Sequence, residues 1–321
     1  MPFNAGSSSK PNVLAGPYVD RLGAWRKDEE RIQRALLDPH TVFVPVWRDL
    51  SLVCVRETSA SAYLARTHEL ATLQTREYVF LGEYHGHASF AVAVASESEI
   101  SVGPGIEARD LRMIAAELAP DEAGLLAYAR AMVTWRDRHR FCGRCGAPTI
   151  PVQGGHVLRC SRDDCHTQQF PRIDPAIIVL VTDGERALLG RQSSWPEGRY
   201  STIAGFAEPG ESLEDTVARE VFEETGVRVG AVEYHSSQPW PFPSSLMLGF
   251  VAQATSTEIT LSDEELEDAR WWTREDIATG KLSLPTPVSI SFRLIESWYD
   301  AGASRPLRDE PGVQMWKLQR R

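Results

Sequence analysis

The sequence has no apolar run near the ~20 residues that a membrane-spanning helix requires; stretches such as Ala176 to Val181 stop far short. Its opening, MPFNAGSSSK, lacks the apolar core of a secretory signal. Both absences predict a soluble, cytoplasmic protein without a membrane partner. Excess positive charge is missing too: 34 Lys and Arg stand against 44 Asp and Glu, a net charge of −10. Non-specific hold on nucleic acid or an anionic membrane needs clustered cations, so a polyanionic substrate must meet a local site, with a metal supplying positive charge. Cysteine is scarce, with five among 321 residues. Four of them fall between positions 142 and 165, and that clustering favours a metal over a disulfide framework. Disorder along the whole chain is excluded by 42% hydrophobic residues, and the length predicts about two domains.

Residues 1–15, rich in Ser, Gly, Pro and Asn, are expected to form a disordered tail. Residues 16–139 carry short β-branched and aromatic runs (TVFVPVW, SLVCV, EYVFLGEY, SFAVAVA), so a β-rich domain is predicted. It ends in a linking helix with Leu125, Tyr128, Met132 and Trp135 at helical spacing. Cys54, inside SLVCV, reads as a small buried hydrophobe. The cysteine segment occupies 140–171. Residues 172–321 begin with two strands, AIIVLVTD and RALLGRQ, continue into a helix ended by Gly226, and close with the helix SISFRLIESWYDAG.

Cys142 and Cys145 form C-x2-C, and Cys160 and Cys165 form C-x4-C, with 14 residues between the pairs. Four thiolates suit tetrahedral Zn²⁺ and leave no open coordination position, so the expected ion is structural. His166 directly follows Cys165 and could substitute for it, whereas His139 and His156 read as ordinary histidines.

Residues 205–227, GFAEPGESLEDTVAREVFEETGV, fit G-x5-E-x7-R-E-U-x-E-E-x-G-U, where U is aliphatic. Glu220 and Glu224 share one helix face, with Glu223 beside them, while Leu213, Val217 and Val221 form the stripe that anchors the helix. Carboxylates crowded on one face call for a cation between them, and hard oxygen donors point to Mg²⁺ or Mn²⁺. Arg219 is expected to orient a carboxylate, with Glu211 as its partner. A second motif, SQPWPFPSSLM from Ser237 to Met247, holds Trp240 and Phe242 between three prolines, which suits stacking on bases but also fits a connector packed into the core.

The carboxylate helix is the Nudix box. Together with the proline-rich loop and the four-cysteine segment, it resembles the NADH pyrophosphatase branch of the Nudix hydrolases. The resemblance implies an α+β chain in which a Nudix α/β/α sandwich follows a zinc ribbon and a β-rich, Nudix-like N-terminal domain. It implies hydrolysis of NADH or NAD⁺ to the nicotinamide mononucleotide and AMP, removal of NAD caps from RNA 5′ ends, and a homodimer. By resemblance, Glu220, Glu224, Glu265 and the carbonyl of Ala204 are the Mg²⁺ or Mn²⁺ ligands, and Arg219 belongs with the catalytic glutamates. Glu223 or Glu224 helps deprotonate the attacking water. Substrate contacts fall on Phe170, Gln238, Pro239, Trp240, Pro241, Phe242, Pro243, Ser244, Ser245, Arg112 and, through its main chain, Ser291. Gly155 stands where some members place a substrate-contacting Glu, so that contact is expected to be missing. Two competing readings are a broader hydrolase of ADP-ribose, ADP-sugars or dinucleoside polyphosphates, and a non-catalytic nucleotide sensor whose ribbon binds RNA or protein.

Overall fold

The structure, a computed structural model, describes residues 11–56, 59–69, 75–94, 105–261 and 265–317. Strands β1 (Val42–Trp47), β2 (Leu50–Arg56), β3 (Ser59–Ala62), β4 (Ala65–Arg66), β5 (Thr75–Tyr84), β6 (His87–Val94) and β7 (Ile106–Arg109) make the first sheet. Its order is β3-β2-β1-β6-β5, with β4 beside β1 and β7 beside β2. Alternation along β1 divides the domain's two cores. Val44 and Val46 face helix α3, whereas Phe43 faces Phe80, Phe90 and Ile32. Ile32 comes from α1 (Glu29–Leu37); a single turn, α2 (Leu111–Ile114), precedes α3 (Pro120–Arg138). Pro120 occupies the first turn of α3, where its missing N–H leaves no bond unmade. Cys54 is only half-buried, near the end of β2, where the strand runs out of the core.

The cysteine segment is a three-stranded antiparallel ribbon of β8 (Thr149–Val152), β9 (Val157–Cys160) and β10 (Gln168–Gln169). The final sheet has the order β14-β15-β11-β12-β16, with β13 paired to β11. These strands are β11 (Asp174–Thr182), β12 (Arg186–Arg191), β13 (Ile203–Phe206), β14 (Val229–Trp240), β15 (Ser245–Ala254) and β16 (Asp268–Thr273). β11 runs parallel to β15 and is buried along most of its length, as expected of a central strand covered on both faces. Ile177, Val179 and Val181 lie under α4 (Leu213–Thr225), while Ile178 and Leu180 lie under α6 (Ile290–Gly302). The result is an α/β/α sandwich. Ser212 and Asp215 form a capping box at the start of α4, and Gly226 ends it at φ 71°.

The expected tail needs correction beyond position 10, and residues 1–10 lie outside the described residues. Asn12 and Leu14 are buried. Asn12 Nδ2 donates to Ser236 Oγ (3.1 Å) and the Ser237 carbonyl (2.7 Å), and its Oδ1 accepts from Arg293 (3.1 Å). Side-chain hydrogen bonds to the last sheet order a segment whose composition carries no periodicity.

Candidate active site

In the ribbon, Cys142 Sγ lies 3.8 Å from Cys165 Sγ, and Cys145 Sγ lies 3.4 Å from Cys160 Sγ. All four sulfurs fall within 4.8 Å of one another. Tetrahedral zinc with bonds of about 2.3 Å requires sulfurs about 3.8 Å apart, so the set fits that ion. The wider second pair folds like the first: Cys142 N–H bonds to the Ala147 carbonyl and Cys160 N–H to the Thr167 carbonyl. His166 takes φ 52°, the left-handed place that Gly146 fills at 73° after Cys145. Its part in the knuckle is therefore a backbone one, and the sulfurs complete the set without it.

The carboxylates collect where α4 crosses β13. Gly205, paired with Ile177, lies so close under Glu220 that an added Cβ would fall 1.9 Å from the Glu220 carboxyl carbon. Only glycine admits that approach. Glu220 and Glu224 are buried on one helix face, while Glu223 and Glu265 are exposed, as is Ala204 beside Gly205. Arg219 pairs with Glu211 through Nε (2.5 Å) and Nη2 (3.0 Å), and the same Nη2 reaches the Phe206 carbonyl (2.9 Å). Its Nη1 meets Glu220 (3.0 Å) and Glu223 (2.9 Å). Hydrogen bonds from Arg219, the Glu208 N–H and Thr216 hold the Glu211 carboxyl down at about 2. Burial pushes the Glu220 carboxyl up, Arg219 opposes that, and the charges of Glu223 and Glu265 push it further. One guanidinium thus faces an excess of hard oxygen donors, a composition that fits a divalent cation.

The expected substrate contacts divide into groups. Gln238 is fully buried, and its amide is engaged inside the protein: Nε2 donates to the carbonyls of Val13 (2.8 Å) and Val288 (2.7 Å), and Oε1 accepts from Ile290 N–H (2.9 Å). It positions the loop and presents nothing to a ligand. Ser291 is likewise buried, with Oγ bonded to Ser201 and Thr202 and its N–H donated to Ser289 Oγ. Arg112 is tied to Asp110 and lies 5.2 Å from the Phe242 ring centre, so it touches the loop from outside. Trp240 and Phe242 meet edge to face at 5.0 Å and pack against the core of the first domain. Pro239, Trp240, Pro241, Pro243, Ser244 and Ser245 border a cavity, and Phe170 is 57% exposed. Gly155 sits at φ 86° with its Cβ position 3.0 Å from the Tyr78 carbonyl, so a side chain there would be both strained and crowded. Sequence reasoning missed Arg130, buried in α3, whose Nε donates to the Pro241 carbonyl (2.7 Å) under the Phe242 ring. A charge set inside the apolar run AYARAMV was its signal.

The NUDIX domain pattern matches residues 172–289, the NADH pyrophosphatase zinc ribbon domain matches 137–170, and the NADH pyrophosphatase-like rudimentary NUDIX domain matches 40–135. The NAD-capped RNA hydrolase NudC of Mycobacterium bovis is 38% identical over 297 residues, covering 88% of this chain and 94% of that protein. The chain belongs to the NADH pyrophosphatase family of Nudix hydrolases. Another family member, the NAD-capped RNA hydrolase NudC of Stutzerimonas stutzeri, is 41% identical over 72% of this chain and 81% of its own length. The human NAD-capped RNA hydrolase NUDT12 is 46% identical, but the match spans only 57% of this chain and 43% of the human protein. The family assignment agrees with an α/β/α domain behind a ribbon and a β-rich domain. No helix among the described residues is long and apolar enough to cross a membrane.

Proposed function

We propose that this chain hydrolyses the diphosphate of NADH or NAD⁺, giving AMP and the nicotinamide mononucleotide, and removes the same dinucleotide cap from RNA 5′ ends. The observation that carries this reading is the buried Glu220 and Glu224 pair on one helix face, with Glu220 held over Gly205 and against Arg219, in a chain that also has the SQPWPFP loop. The names of the NudC relatives support the substrate. Glu220, Glu224, Glu265 and the Ala204 carbonyl would hold Mg²⁺ or Mn²⁺, which when bound neutralises the diphosphate and lowers the pKa of a water. Arg219 fixes Glu211 and Glu223 from one side of the cluster, and Glu223 or Glu224 accepts the proton of the attacking water. The partly buried Trp240 ring at the cavity and the exposed Phe170 ring offer faces for the bases. The four cysteines hold a structural zinc. The family resemblance supports a homodimer working in the cytoplasm.

Product analysis with NADH, NAD⁺ and ADP-ribose, each with Mg²⁺ or Mn²⁺, tests the reading. AMP and reduced nicotinamide mononucleotide should be released from NADH. Glu224→Gln should lower turnover by a factor on the order of 10² or more at an unchanged melting temperature. Preference for ADP-ribose would keep the carboxylate chemistry and remove the substrate assignment. Near-normal turnover in Glu224→Gln would remove that residue from catalysis.

A further inference from the structure

Helix α3, the segment from Leu14 to Arg26 and the proline-rich loop enclose a cavity of about 660 Å³. Arg21, Arg26, Arg138 and Arg172 stand on its wall. Among the described residues none of these four has an ion-pair partner, whereas Arg112, Arg130, Arg136 and Arg140 nearby all have one. Among the described residues Asp174 is the one carboxylate on the wall, and it accepts the Ser244 hydroxyl at 2.6 Å. His156 is kept uncharged at neutral pH, because burial and the nearby arginines push its pKa down to about 4. In a chain of net charge −10, four unneutralised guanidiniums around one opening make a local field of the opposite sign.

The rest of the wall is rich in aromatics: Tyr18, Tyr128, Trp135 and Trp240. The Arg21 guanidinium lies 3.5 Å from the centre of the Tyr128 ring, stacked on its face. Cationic groups that track phosphates, beside aromatic faces on which bases stack, are the chemistry that binds single-stranded nucleic acid. The position agrees. Asp174 opens β11 at the cavity, and Ile177, three residues on, pairs with Gly205 beneath Glu220. That is about 10 Å along the strand, within reach of a chain that continues from a dinucleotide at the carboxylates.

We infer that this cavity receives the first nucleotides of an RNA whose 5′ cap lies at the carboxylates, with the arginines taking its phosphates and the aromatic wall a base. This inference rests on the proposed NAD(H) and cap hydrolysis. The two fail separately, because absence of NADH turnover in the unaltered protein would overturn the activity and not the cavity's role alone.

The test is the triple variant Arg21→Ala, Arg138→Ala, Arg172→Ala, assayed on NADH and on a short NAD-capped RNA across a salt series. On capped RNA, kcat/KM should fall about tenfold or more, and the log–log salt slope should flatten by about 2, at ~0.7 per lost phosphate contact on a single strand. NADH turnover should stay within about twofold of the unaltered protein, with an unchanged melting temperature. Uncapped 5′-triphosphate RNA should inhibit cap removal by the unaltered protein more than by the variant. Capped-RNA cleavage that survives the triple change would overturn the inference. An equal loss on both substrates would overturn it as well, because the cavity would then serve the dinucleotide itself or the fold.

Discussion

Gly205 carries the most exact steric demand of the site, since a single methyl group there would occupy the space of the Glu220 carboxyl. The displaced group is the free end of a flexible side chain, so the fold has an inexpensive way out and the carboxylate does not. Gly205→Ala is therefore expected to lower stability by about 1 kcal/mol, the low end of the cost of overpacking, while lowering kcat at least ~10-fold, because carboxylates must be held within about 0.5 Å of productive geometry. Paired melting curves and NADH turnover would check this, and a fully active variant would show that Glu220 does not need its place over β13. The box residues were legible in the sequence because their spacing fixes them on adjacent turns of one helix. The surroundings of Gln238 and Arg112 were not. Identity and order in a motif say nothing about which way a side chain points, and here Gln238 points inward and Arg112 lies beside Asp110.

At the scale of elements, the ribbon's hairpin turn is tied to the edge of the first sheet. Phe80 N–H bonds to the Gly154 carbonyl (2.8 Å), and His156 Nε2 bonds to the Phe80 carbonyl (2.6 Å). Facing a carbonyl, Nε2 must carry the proton of the neutral ring. Burial is the main reason its pKa falls from 6.5 to about 4. The unfolded chain therefore binds the proton more readily than the folded one. This contribution to stability is complete above about pH 6.5, declines as pH falls toward 4 and is constant below that. Integrated over the window it is on the order of 3 kcal/mol. Melting temperatures of the unaltered protein and His156→Gln, measured from pH 7.5 to 4, should converge as the pH drops, and parallel curves would remove His156 as the cause. The strands, the ribbon and the box helix were readable because each has its own period or spacing. The loop's two possible uses, base stacking or core packing, could not be separated in advance. Trp240 and Phe242 pack against the first domain's core, and Trp240 also borders the cavity.

The whole molecule is held as one unit by contacts distant in sequence, and these were the least legible. Residues 11–14 looked like tail because an irregular segment with two inward residues has no repeat to detect. Yet Asn12 bridges Ser236, Ser237 and Arg293, and the Val13 carbonyl takes one of the two N–H groups of the buried Gln238 amide. Leu14 adds an apolar side chain, 3% exposed, to the core under α3. Removing the chain through Leu14 would expose that core site, worth about 1.5–3 kcal/mol, and leave a buried Gln238 N–H without an acceptor, a further ~1–3 kcal/mol. The truncated protein should consequently melt several degrees lower, with its zinc content unchanged. Because Gln238 also holds Ile290 at the start of α6 and the base of the proline-rich loop, KM for NADH should rise more than kcat falls. An unshifted melting temperature would mean that these bonds are replaced when the segment leaves, and a loss confined to kcat would place the segment's influence on the carboxylates instead of the loop.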